Sequence, residues 1–151
     1  MAEIDSAQST KIAAGTKLST NEQGVVKQVT ITTPATFAQL AIDDTMATGI
    51  FIPKGARILN AHKNHGTGTA SSTMNVGLRA RDGTVLDATA ICSVTALTTA
   101  TTTPVECGNG TYIAAGVDTV LDEDAEVYIT AKGAVLAANQ DVRLTIFYTA
   151  G

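Results

Sequence analysis

The sequence predicts an all-β protein, an antiparallel β-sandwich of jelly-roll-like kind, with an extended N-terminal arm. Three observations lead there. Of the 151 residues, 25 are Thr, 24 Ala and 13 Gly, while only 16% are charged. β-Branched Thr loses rotamer freedom in a helix and packs well on a pleated surface, so this composition favours strands over helical bundles. Short segments of apolar residues in period-two alternation recur along the chain, closed by Gly, Pro, Asn or Asp. The length suits a single core, since two domains would each be marginal at this size.

Residues 1–24 hold Ser6, Gln8, Ser9, Thr10, Thr16, Ser19, Thr20, Asn21 and Gln23, with apolar residues too sparse and irregular for a core face. They read as an extended or flexible arm ahead of a sandwich domain over residues 25–151. Residues 24–33 carry Val25, Val26, Val29 and Ile31 and stop at Pro34, as a strand closing at a turn. Phe37, Leu40 and Ile42 form a second candidate strand before the Asp43-Asp44 corner. Gly49-Ile50-Phe51-Ile52 ends at Pro53 and Gly55, and a new run starts at Ala56-Arg57-Ile58-Leu59-Asn60: strand, tight turn, strand.

The clearest alternation spans residues 73–80, with Met74, Val76, Leu78 and Ala80 on one face and Thr73, Asn75, Gly77 and Arg79 on the other. Asp82-Gly83 then marks a hairpin, and Val85, Leu86 and residues 88–91 supply its return. Residues 93–103 are so rich in Thr that a long surface loop is expected, with at most one helical turn. Gly108-Asn109-Gly110 turns the chain into Thr111-Tyr112-Ile113. After the acidic corner Asp122-Glu123-Asp124, Val127, Ile129 and Ala131 alternate with Glu126, Tyr128 and Thr130. The last strand sets Val142, Leu144, Ile146 and Tyr148 opposite Arg143, Thr145, Phe147 and Thr149, and its apolar residues on both faces place it centrally in a sheet or at an interface. The count is eight to ten strands.

Charge excludes several function classes. The formal net charge is −4, the isoelectric point is near 5.0, and the ten basic residues are scattered singly. A nucleic-acid surface needs clustered Lys and Arg to release counterions, so no nucleic-acid partner is expected. The acidic start is not followed by a signal-like apolar run, and the longest apolar runs, such as residues 134–138, fall far short of the about 20 residues that cross a bilayer. The expectation is a chain made and kept in the cytoplasm, without a membrane partner. Cys92 and Cys107 are too few for a secreted disulfide scaffold and match no zinc spacing, so two free thiols are expected.

The candidate chemistry is thin. His62 and His65 stand three apart, and on a strand such residues point to opposite faces, which spoils chelation. Asp122-Glu123-Asp124 lacks the alternating acidic spacing and the Gly of a calcium loop. Gly66-Thr67-Gly68-Thr69 fits neither a dinucleotide nor a phosphate loop. None of the six serines sits in a nucleophile elbow. Cys92, between Ile91 and Ser93-Val94, reads as a small buried residue instead of a nucleophile served by His62 or His65. Asn109-Gly110-Thr111 matches a glycosylation acceptor, and with no signal peptide expected the match is expected to be chance. No catalytic, cofactor-binding or metal residue is assigned, and no cofactor is expected.

The segments Phe51-Ile52-Pro53-Lys54-Gly55-Ala56-Arg57-Ile58-Leu59-Asn60, Thr73-Met74-Asn75-Val76-Gly77-Leu78 with Asp82-Gly83, and Asp141-Val142-Arg143-Leu144-Thr145-Ile146-Phe147-Tyr148 together resemble small virion structural proteins of tailed bacteriophages. The resemblance runs over residues 49–148. It implies a capsid decoration, or cement, protein: a non-enzymatic β-sandwich on the capsid exterior of the virion, often a trimer, with an arm laid across the major capsid protein. That protein is the implied partner, with a homo-oligomer, a homotrimer by preference, synthesised in the bacterial host cytoplasm. The implied role is to stabilise the expanded head by bridging major capsid subunits. Residues 1–24 are then the expected contact with the capsid or a sister subunit, since an arm that orders on binding can wrap a large surface. Two alternatives stay open: another phage component, such as a head fibre, tail tube or tail tip, and a small carbohydrate-binding β-sandwich. The second is poorly supplied with stacking platforms, because Phe37, Phe51, Phe147, Tyr112, Tyr128 and Tyr148 are its only aromatics and most lie in strand-like segments.

Overall fold

A computed structural model describes residues 6–16, 25–114 and 119–149. The described chain forms a helix α1 (Ala7–Ala13), then strands β1 (Val26–Thr32), β2 (Thr45–Ile52), β3 (Ile58–His65), β4 (Thr73–Arg79), β5 (Val85–Ala96) and β6 (Val105–Glu106). A one-turn helix α2 (Thr111–Ala114) precedes β7 (Ala125–Lys132) and β8 (Val142–Thr149).

The strands make two four-stranded sheets, in the orders β1-β8-β3-β6 and β2-β7-β4-β5, and every pairing is antiparallel. Four of the pairings are nested: β4 with β5, β3 with β6, β2 with β7 and β1 with β8. This is one long hairpin, rolled until β8 also meets β3 and β7 also meets β4. The result is an eight-stranded jelly roll, the fold class that the strand count and turns predict.

The core lies between the sheets and is built by the alternation. Leu144 and Ile146 of β8 face Val76, Leu78, Val127 and Ile129 of the second sheet's inner side, and all six are 2% exposed or less. Burying each such side chain contributes roughly 1.5–3 kcal/mol, offset largely by chain ordering. β8 is central, between β1 and β3. Its register with β1 is fixed by Thr33, whose hydroxyl donates to the Gln140 carbonyl at 2.8 Å and accepts the Val142 N–H at 3.0 Å. The β4–β5 hairpin turns at Gly83, at φ 91°, a left-handed conformation that a glycine adopts without a Cβ penalty.

Several sequence expectations are corrected. Phe37, Leu40 and Ile42 do not form a strand: Leu40 makes a single bridge to Leu136, and Ile42 is half exposed. The Thr-rich stretch is not loop from residue 93, because β5 runs on to Ala96; β-branched Thr and Val suit an extended edge. The segment after Gly110 forms one helical turn. Within residues 1–24, residues 7–13 are helix, so an extended arm does not describe them. Ser6 caps that helix, its hydroxyl accepting the Ser9 N–H at 3.1 Å, and Ala, Gln and Lys are good helix formers. Residues 1–5 and 17–24, on which the rest of the arm expectation falls, lie outside the described residues.

Candidate functional site

The histidines separate as strand geometry requires. Both lie on β3. His62 is on the outer face of the first sheet, edge-to-face with Phe147 at 5.1 Å between ring centroids, while His65 is buried on the inner side with its Nδ1 2.8 Å from the Gly66 carbonyl. Among the described residues, no three His, Cys, Asp or Glu side chains cluster as a metal site.

The outer face of the first sheet is polar. Antiparallel pairs place Gln28 beside Phe147, Thr30 beside Thr145 and Thr32 beside Arg143; on the other flank Asn60, His62 and Asn64 meet the same three β8 residues. The hydroxyls of Thr30 and Thr145 are 3.2 Å apart, a cross-strand hydrogen bond of the kind that steadies a sheet. A shallow groove of about 240 Å³ runs here between Thr30, His62, Asn64, Pro104, Arg143 and Thr145. The surface offers hydroxyl and amide groups with one guanidinium and one imidazole, groups suited to hydrogen bonding.

The outer face of the second sheet is organised by two arginines. Arg79 stacks 5.1 Å from the centre of the Tyr128 ring and donates from Nε to Glu126 at 2.6 Å. Arg81 lies 4.2 Å over the Phe51 ring and 3.4 Å from the Asp124 carboxylate. The acidic corner is thus part of a structural clamp. Asp124 also accepts the Lys54 backbone N–H at 2.8 Å, tying the β2–β3 turn to the β4–β5 hairpin; that bond, then Arg81, hold its carboxyl below the usual carboxylate range. Lys54, Arg81, Asp82, Asp122 and Glu123 surround an open pocket of about 540 Å³ at this end. Burial pushes the Tyr128 hydroxyl up. All six Phe and Tyr side chains are buried or half-buried.

The two cysteines, expected as free thiols, approach one another. Cys92, on β5, and Cys107, just past β6, bring their sulfurs to 3.4 Å across the two sheets as free thiols. The Cys107 loop is held there by its N–H to the Ala61 carbonyl at 2.8 Å and by Gly110 N–H to the Ile91 carbonyl at 2.9 Å. The Asn109 amide completes the join, accepting the Ser93 N–H and donating to the Ser93 carbonyl as a neighbouring strand would. No sequence signal predicts this meeting, because it depends on how β5 and β6, in different sheets, share an edge of the sandwich.

The sequence matches no protein-family model and no curated protein. The fold has counterparts among solved structures. A chain of the capsid of Ralstonia phage GP4 superposes with a TM-score of 0.65 at 16% identity, over 85% of this chain and 86% of that one. Chains of the cyanophage Pam1 capsid asymmetric unit and of the acidic stable capsid of Helicobacter pylori bacteriophage KHP30 align at TM-scores of 0.49 and 0.39. Their identities are 17% and 14%, with 85% and 83% of this chain covered against 86% and 93% of theirs. The shared fold rests on the first of these.

Proposed function

We propose that this chain is a non-enzymatic virion structural protein that binds the outer surface of a phage capsid and stabilises the expanded head by bridging major capsid subunits. The observation that carries the reading is the match of a complete jelly roll to a chain of a phage capsid over six-sevenths of both chains. The polar outer face of the first sheet supports it, since hydroxyls and amides can satisfy a neighbour's backbone groups without the desolvation cost of ionised side chains. In this reading residues 25–151 are the sandwich body, residues 1–24 the arm that contacts the capsid or a sister subunit, and the working unit a homotrimer on the capsid exterior.

The experiment compares phage heads assembled with and without the protein under stepwise heating. Heads that lack it are expected to release their DNA at lower temperature, and adding the purified protein back is expected to restore the midpoint. Equal midpoints with and without it contradict the proposal.

A further inference from the structure

The geometry points to Cys92 and Cys107 as a latent inter-sheet disulfide, closed by thiol–disulfide exchange with a small external disulfide that enters at Cys107. The inference does not depend on the capsid reading.

The sulfurs are already in contact at 3.4 Å, so closing the bond asks for an approach of little more than an ångström, to roughly 2.05 Å. They join different sheets: Cys92 lies opposite Val76 of β4, whereas Cys107 continues the pairing of β6 with β3. The two are not equally reachable. Cys92 is 0% exposed and Cys107 9%, and Cys107, without Cys92, lines a surface pocket of about 380 Å³ bounded by Lys63, Ala96, Glu106 and Asn109. The Lys63 ammonium stands at this pocket, donating to the Ala96 carbonyl. Electrostatics support the same order: the bond from Cys92 and then Lys63 favour the Cys107 thiolate, while that bond and burial push the Cys92 thiol up.

The chemistry balances in two exchanges. The Cys107 thiolate attacks one sulfur of the external disulfide RSSR, giving a Cys107–SR mixed disulfide and releasing RS⁻, which takes up a proton. Cys92 then loses its proton to solvent and attacks the Cys107 sulfur, closing the protein disulfide and expelling the second RS⁻. The protein loses two electrons and two protons, and RSSR becomes two RSH.

The test takes the full-length protein, purified reduced, and equilibrates it with oxidised glutathione before an acid quench and intact-mass and peptide analysis. The expected product is about 2 Da lighter, yields a linked Cys92–Cys107 peptide, melts at higher temperature than the reduced protein and reverts with reductant. In Cys92→Ser the expected product is a stable glutathione adduct at Cys107; in Cys107→Ser, Cys92 stays unmodified over the same time. Two thiols that persist in the wild-type protein, or cross-links between chains, overturn the pairing. An adduct at Cys92 in Cys107→Ser overturns the entry at Cys107.

Discussion

Gly77, within β4, is a residue at which the second sheet closes tightly. A Cβ at this position would lie 2.5 Å from the Asp87 carbonyl oxygen and 2.7 Å from Ala88 backbone atoms, so the edge strand β5 must move to admit any side chain. Gly77→Ala is therefore expected to lower stability by about 1–3 kcal/mol through overpacking, measured by chemical or thermal denaturation; an unchanged midpoint would show that β5 is not held there. Asp124 gives a second residue-level expectation, set by its depressed pKa. A carboxyl held lower in the folded state than in the unfolded state contributes stability above its unfolded value and loses it as pH falls through the folded one. Melting curves of the wild-type protein and Asp124→Asn should differ modestly near neutral pH, as befits an exposed pair. They should converge in acid, below the ordinary carboxylate range; a gap that persists there contradicts the assignment.

At the scale of elements, β5 shows what alternation reveals and what it conceals. β4, β7 and β8 were legible because their apolar residues face one core at period two. β5 was legible only at its start, since its pairing with β4 shifts register three times and Val94 takes φ 50°, rare for a β-branched residue. The buried Asn75 side chain accepts the Val94 N–H at 2.9 Å and holds that bulge. Such a contact between strands has no signature in either segment alone. The N-terminal helix is written only in local signals, its Ser6 cap and good helix formers, and its apolar residues are too sparse to mark a core face. Deleting residues 1–24 tests the role of this segment. The truncated protein is expected to keep its sandwich, judged by circular dichroism and melting, and to lose capsid binding; full binding without the arm would transfer the contact to the sandwich itself.

For the whole molecule, the nested pairings explain why the fold class was predictable and the surface function was not. A hairpin rolled into two sheets buries one face of every strand, and that face writes the alternation. The outward residues answer to whatever the protein meets, so Gln28, Thr30, His62, Arg143 and Thr145 are a polar face in the structure and separate polar positions in the sequence. Among the described residues no three His, Cys, Asp or Glu side chains gather as a metal site.

Cosedimentation of the purified full-length protein with expanded, undecorated phage heads, with its mass in solution fixed by light scattering, tests the central claim most directly. Saturable binding of a trimer, at a fixed number of copies per head, is the predicted result. A monomer that stays in the supernatant at every head concentration would contradict it.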